Sequence, residues 1–330
     1  MQAERRLGNQ LVPPVGLGCM CLSHGYFPVP DPAEGLKLLH AALDMGYRHF
    51  DTARLYGMGK NEELVANVLR DRRDDVFLAS KCGFNMEGGP RRIDCRPDTI
   101  KRAVDTSLRT LGVDHIDLYY LHRRDFDVPI EESVGTLGDL IAAGKIGGIG
   151  LSEMSAETLR KAAKEHPIAA MQSEYSLWTR NPEIAVLDAC KELGTAFVAF
   201  SPLGRGALAG AVSNPAALPD PDMRKTQPRF SEDHWPANKK LLAEFAALAK
   251  DHDMTPAQLA LAWLLAADDT LHVIPGTGSI AHLQENWQTG GKPITDDLLK
   301  AADALINQQS VSGHRYPVST RPEIDTEDFE

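Results

Sequence analysis

Four residues are of types that together can place a proton on an oxygen atom. Asp51 and Tyr56 lie five positions apart in D-T-A-R-L-Y-G, Lys81 closes V-F-L-A-S-K, and His122 closes D-L-Y-Y-L-H. A phenol with its ordinary pKa near ~10 is a feeble acid at neutral pH unless its anion is stabilised. An ammonium about 4 Å away, at an effective dielectric of ~20, contributes roughly 4 kcal/mol, or ~3 pKa units before desolvation offsets it. Lys81 is such an ammonium, Asp51 can hold it charged and in place, and His122 can donate a hydrogen bond to a substrate oxygen or to the phenol. A general acid of this kind polarises a carbonyl as hydride arrives. Taken singly, Asp51 also reads as a helix cap, Lys81 as a surface residue, His122 as a core histidine and Tyr56 as a loop anchor. Their joint placement at the ends of adjacent apolar runs favours the chemical reading.

No side chain supplies hydride, so the same chemistry needs a cofactor. Ser152 and Gln172 end two later apolar runs and offer the donor and acceptor that a carboxamide requires. Phe200 ends another and offers a ring face for stacking. Backbone N–H groups at glycine-rich turns suit a pyrophosphate. Two such turns occur, S-P-L-G-R-G at 201–206 and G-T-G-S at 276–279. Gly16-Leu17-Gly18 lacks the third glycine of a dinucleotide fingerprint, and the chain has neither a phosphate-cradling Walker loop nor H-E-x-x-H.

These residues need a scaffold, and the hydropathy pattern describes one. Helical stripes such as Leu36, Leu39 and Leu43, or Ile100, Val104, Leu108 and Leu111, alternate with short apolar runs. The runs lie near positions 15, 48, 76, 116, 146, 168, 196 and 271, so eight strands are expected. Alternating strands and helices imply a parallel sheet, and eight is the number of a (β/α)8 barrel, with an open doubly wound sheet as the rival. In a barrel, polar groups ending the strands meet at one rim. Ser155, Ser279 and Thr295 read as helix N-caps, Thr255 with Gln258 as a capping box, and Asn181-Pro182-Glu183 as an N-cap followed by a first-turn proline. Two further helices are expected near 280–290 and 296–307. Residues 206–236 read as a long loop and 310–330 as a mobile polar tail.

Composition narrows the rest. The 330 residues are 43% hydrophobic and 25% charged, as in soluble globular proteins, and suffice for one barrel without disulfide staples. No linker divides them, so one domain over 1–330 is expected. A net charge of −11, from 35 Lys+Arg and 46 Asp+Glu, argues against nucleic-acid or anionic-membrane partners. No apolar run is long enough to cross a bilayer, and residues 1–10 do not form a signal peptide. Five cysteines without a C-x-x-C pair fit reduced thiols in a cytoplasmic protein. Cys19-x-Cys21 without a histidine partner does not make a zinc site, and no metal is expected.

With those residues in order, the chain resembles the aldo-keto reductase superfamily, in the bacterial and plant-type branch. The resemblance rests on G-L-G-C-M (16–20), H-I-D-L-Y-Y-L-H-R, G-K-I-G-G-I-G-L-S-E, Q-S-E-Y-S-L-W-T-R and I-P-G-T-G-S-I-A-H-L-Q-E-N (274–286). It implies a (β/α)8 barrel, plugged by an N-terminal β-hairpin at residues 5–12 and carrying extra C-terminal helices. It also implies reduction of small aldehydes and ketones with NADP(H), NADPH being expected ahead of NADH. Asp51, Tyr56, Lys81 and His122 then correspond to the family tetrad, with Tyr56 as proton donor. Ser152 and Gln172 correspond to the carboxamide site and Phe200 to the stacking ring. Met20, Ser201, Pro202, Leu203, Arg205, Gly276, Thr277, Ser279 and His282 correspond to cofactor contacts, and Glu285 and Asn286 to the adenine end. Many members hold the 2′-phosphate with a Lys and an Arg at the positions of Gly276 and His282, and both charges are missing here. Glu153 stands where many members have an Asn for the carboxamide. In the divergent loop at 20–30, Tyr26 and Phe27, together with Trp178, are candidates to line the substrate pocket.

Two readings from other classes stand beside this one. A cofactor-binding regulatory subunit resembling potassium-channel β subunits would keep the fold and lose the turnover. A Schiff-base lyase would use Lys81 as nucleophile, which requires a depressed lysine pKa that the neighbouring Asp51 opposes.

Overall fold

Eight parallel strands carry the structure, a computed structural model that describes residues 2–85, 91–292 and 294–329. Met1 and Glu330, the two ends of the expected domain, lie outside the described residues. The strands are β3 (Leu17–Gly18), β4 (His49–Asp51), β5 (Phe77–Cys82), β8 (Leu118–Leu121), β9 (Ile149–Ser152), β10 (Ile168–Glu174), β11 (Ala196–Phe200) and β12 (Leu271–Val273). Each pairs with its neighbour in the order β3-β4-β5-β8-β9-β10-β11-β12. A parallel bridge between Val15 and Val273 closes the ring, with the Gly16 amide donating to the Val273 carbonyl at 2.8 Å. The barrel therefore prevails over the open sheet, at the eight positions the apolar runs mark.

Two antiparallel hairpins sit at opposite ends. β1 (Arg5–Leu7) and β2 (Gln10–Val12) form the expected plug. Leu7 and Val12 bury fully against Phe77, Leu118, Tyr120, Ala170 and Val198, which point into the barrel. Arg5 fastens the plug by donating to the carbonyls of Leu265, Asp268 and Leu271. The interior is tightly filled: a Cβ on Gly150 would lie 2.2 Å from the Tyr120 ring, so glycine there lets the ring enter. The second hairpin, β6 (Phe84–Asn85) and β7 (Arg92–Ile93), follows β5 on the functional rim.

The helices bury their apolar stripes against the outside of the barrel. They are α1 (Pro32–Met45), α2 (Lys60–Arg72), α3 (Pro97–Leu111), α4 (Ile130–Ala142), α5 (Ala156–Glu165), α6 (Val186–Leu193), α7 (Trp235–Asp251), α8 (Pro256–Ala267), α9 (Ile280–Thr289) and α10 (Asp296–Leu305). Ser155, Ser279 and Thr295 cap α5, α9 and α10, and Thr255 with Gln258 forms the capping box of α8, as expected.

Three expectations change. Asn181 caps nothing: it opens a single 3-10 turn, α6 begins later at Val186, and its Nδ2 donates to Glu327 O and Asp328 Oδ1. The loop at 206–236 runs through short 3-10 turns and leads into α7, a helix outside the barrel repeat. The tail is docked rather than free. Asp325 accepts from Ser155 N and Oγ, Glu327 from Ala156 N, and Arg315 pairs with Glu153 at 2.9 Å with both side chains buried. Polar residues with no helical or strand period give no pattern to read, yet their carboxylates satisfy the free N–H groups at the start of α5.

Candidate active site

The strand ends converge as the sequence predicts. Asp51 is the last residue of β4, Lys81 lies in β5, His122 follows β8, Ser152 ends β9, Gln172 lies in β10 and Phe200 ends β11. Register explains the grouping: Asp51 pairs with Ala79, so Lys81 stands two residues further along the adjacent strand and on the same face. Tyr56 reaches the rim from a 3-10 turn in which Gly57 and Met58 both have φ of 58°.

Lys81 Nζ donates to Asp51 Oδ1 and, at 2.9 Å, to the Thr52 carbonyl. Gln172 Nε2 donates to the other Asp51 oxygen at 2.8 Å, so both are engaged. Lys81 Nζ lies 5.2 Å from the centre of the Tyr56 ring. Burial opposes the charge on Lys81, but Asp51 and Tyr56 outweigh it and its pKa lies above the ordinary value. That is the wrong direction for a Schiff-base nucleophile. Tyr56 differs from the sequence expectation. Burial, its largest influence, raises the phenol pKa, Asp51 adds to this, and Lys81 only partly counters it. The phenol is therefore a protonated donor throughout the neutral range. His122 stands edge-on to Tyr56 with ring centres 5.8 Å apart, and burial together with Arg123, Lys81 and Arg91 pushes its pKa well below 6.5. It is a neutral imidazole, able to donate from one nitrogen.

These groups open onto a cavity of about 460 Å3, within the range of small-molecule sites. Asp51, Tyr56, His122, Ser152, Gln172 and Phe200 line it, together with Met20, Ser201, Pro202, Leu203, Arg205, Gly276, Thr277, His282, Glu285 and Asn286. Tyr26 lines it as well, under the Arg224 guanidinium at 4.9 Å. Lys81 is buried behind the wall.

Several expected residues serve elsewhere. Trp178 is fully buried beneath the 201–206 turn, where a Cβ on Gly204 would meet its side chain at 3.3 Å. Phe27 is held outside the cavity by its amide donating to Asp222 Oδ2. Ser279 is absent from the wall and caps α9, accepting from His282 N. Glu153 has φ of 54° and turns away from the carboxamide positions: Arg315, Thr326 Oγ1 and the Glu174 amide engage its carboxylate. Arg205 lines the cavity with its charge already bound to Glu174 at 2.7 Å.

Further wall residues are not singled out by type or spacing in the sequence. His24, Leu55, Phe84, Arg91 and Arg123 line the cavity, as do Tyr316 and Glu323 of the tail. Arg123 had the most accessible clue, since it directly follows His122.

The wall formed by the 201–206 turn, Gly276 and Asn286 has features that suit a dinucleotide. Ser201 and Arg205 adopt φ of 48° and 58°, making a tight left-handed turn beside it. A Cβ on Gly276 would meet the Gly18 carbonyl at 2.9 Å, so the backbone comes close at this wall. Asn286 Oδ1 is buried without a hydrogen-bond partner among the described residues and suits an exocyclic amine. No group of three metal-ligating side chains occurs among the described residues.

Residues 14–307 match the model of the aldo/keto reductase family. The NADP(+) aldo-keto reductase yakc of Schizosaccharomyces pombe is 41% identical over 320 residues, covering 95% of this chain and 94% of that protein. A glycerol dehydrogenase of Gluconobacter oxydans superposes with a TM-score of 0.84 at 26% identity, over 99% of this chain and 97% of that one. An aldo-keto reductase of Klebsiella pneumoniae in complex with NADPH gives 0.72 at 25% identity, over 99% and 100%.

Proposed function

The chain belongs to the aldo/keto reductase family, and from that premise we propose that it reduces aldehydes and ketones to alcohols with NADP(H), using Tyr56 as the proton donor. The carrying observation is the buried Asp51–Lys81 pair set against the Tyr56 ring, beside a cavity that Tyr56, His122, Ser152, Gln172 and Phe200 line together. The names of the fission-yeast relative and the Klebsiella complex support NADP(H).

When bound, the nicotinamide supplies hydride to the carbonyl carbon. The chain's own residues do the rest. Ser152 and Gln172 would hold the carboxamide, Phe200 would cover one ring face, the 201–206 turn would face the pyrophosphate, and Asn286 with Glu285 would meet the adenine. His122 donates to the carbonyl oxygen and orients it. Tyr56 gives that oxygen its proton as negative charge builds there, and Lys81 stabilises the phenolate left behind. Asp51 keeps Lys81 charged and pointed.

NADPH consumption with a generic aromatic aldehyde tests the reading. Tyr56→Phe is expected to lower kcat by about 10²–10⁴-fold, the usual worth of a general acid, while NADPH binding stays near wild type. Near-normal turnover in that variant overturns the mechanism. Slow turnover of every carbonyl tried by the wild type, with tight cofactor retention, favours the regulatory-subunit reading instead.

A further inference from the structure

Among the described residues that line the cavity, every arginine but one has a carboxylate partner. Arg205 binds Glu174, Arg315 binds Glu153, Arg91 binds Glu323, and Lys81 binds Asp51. Arg123 lines the cavity directly after His122 and forms no salt bridge among the described residues. Its Nη1 donates at 2.6 Å to the His122 carbonyl, and its Nε is buried without a hydrogen-bond partner. Glu153 feels the Arg123 charge, but its oxygens are taken by Arg315, Thr326 and the Glu174 amide. The outer carboxylate, Glu323, is held by Arg91, which also lies over the Phe84 ring.

A guanidinium with a buried, unanswered N–H matches a planar anion in two-point geometry. We propose that Arg123 recognises a carboxylate on the substrate, so that the preferred substrates are carbonyl compounds bearing a carboxylate. The inference rests on the carbonyl-reductase reading and names its substrate class. It places the anion beside the reacting end, because Arg123 directly follows His122, donates to its carbonyl and lines the same cavity as Tyr56 and His122. A carboxylate bound there would hold the carbonyl against those two groups, and its charge would answer the positive side of the cavity. An acidic chain of net charge −11 has little reason to leave a cation unpaired beside its proton donor unless a ligand completes it.

The test compares matched pairs. The ortho, meta and para formylbenzoates and their methyl esters are reduced with NADPH by wild type, Arg123→Gln, Arg123→Lys and Arg91→Gln. For the best isomer, wild type is expected to favour the acid over its ester by about tenfold or more in kcat/KM, mainly through KM, the usual scale of a charged hydrogen bond. Arg123→Gln should bring that ratio close to one, Arg123→Lys should keep part of it, and Arg91→Gln should leave it largely in place. Benzoate should also inhibit ester reduction by the wild type at least tenfold more strongly than benzamide, an arm that needs no variant. Reduction of esters with no preference for any acid overturns the proposal and leaves carbonyl reduction standing. Loss of the ratio in Arg91→Gln but not in Arg123→Gln overturns the assignment to Arg123. Failure to reduce any of the six compounds, or neutral aromatic aldehydes, removes the carbonyl-reductase reading and this one with it.

Discussion

At the scale of single residues, the site is a set of opposed charges held in a dry wall. Lys81 remains an ammonium because Asp51 and Tyr56 outweigh its burial. A group whose folded pKa is raised adds stability that is complete below its unfolded value and fades as pH climbs through the folded one. Lys81 thus stabilises the fold up to strongly alkaline pH. Lys81→Met leaves the Asp51 carboxylate buried without its cation, and about 3–5 kcal/mol of stability should be lost. Adding Asp51→Asn should recover part of that loss in a denaturant melt without restoring turnover; no recovery would mean that the pair is not the source. The same groups set the pH profile. The Tyr56 phenol lies above its ordinary 10 and the His122 ring well below 6.5, so neither changes charge between them. The reduction rate at saturating substrate should stay level from about pH 7 to about pH 9 and fall beyond pH 10 as the phenol loses its proton. A titration step between pH 7 and pH 9 that disappears in Tyr56→Phe would contradict the raised phenol.

At the scale of elements, the barrel is made by local patterns and the pocket mouth by contacts that ignore them. Each strand announces itself as an apolar run, and the tetrad positions are legible because a barrel strand delivers its terminal residue to one rim. The tail and the 206–236 loop have no such period. Their positions come from paired groups distant in sequence, such as Asp222 accepting from the Phe27 amide and Arg315 entering the buried Glu153 site. Asn181 illustrates the failure: a sequence fit for a cap gives its side chain to Glu327 and Asp328. Arg315→Met should therefore do more than shorten a side chain. It leaves Glu153 buried without its paired cation, with only the Arg123 charge, Thr326 and the Glu174 amide to support it, at a cost of about 3 kcal/mol. Hydrogen exchange along 315–328 should rise well before the barrel strands respond. Glu153 is held below its ordinary 4.5, chiefly because Arg315 and Arg123 overcome its burial. Its contribution is present above that value and fades as pH falls through the lowered one. The tail should thus stay docked at neutral pH and loosen only under acid; unchanged exchange in Arg315→Met would show that the bridge does not hold it.

At the scale of the whole molecule, an acidic protein presents a wall of amides and hydroxyls where relatives are expected to carry a lysine and an arginine. The two missing charges are not equivalent in this structure. His282 is exposed in the first turn of α9 and lines the cavity, so a longer cation there meets no obstacle in the wall. Gly276 is different: a Cβ would stand 2.9 Å from the Gly18 carbonyl and 3.2 Å from Cys21 Sγ. Both neighbours belong to the first barrel strand and the loop after it, and the carbonyl cannot swing aside without disturbing the closure of the ring at Val15 and Val273. The absence of lysine at 276 is thus tied to the way this barrel packs, whereas the absence at 282 is a free choice of side chain. His282→Arg should tighten NADPH relative to NADH by about 1 kcal/mol, roughly fivefold, because one partly exposed guanidinium meets the added phosphate. The gain should shrink at high salt, as expected for an exposed charge pair. Gly276→Lys should weaken both cofactors together and lower the melting temperature, since its cost is steric and precedes any charge effect. Isothermal titration of each variant with both cofactors separates the cases: a selective NADPH gain in Gly276→Lys would show that the first strand yields, and no gain in His282→Arg would place the 2′-phosphate away from the start of α9.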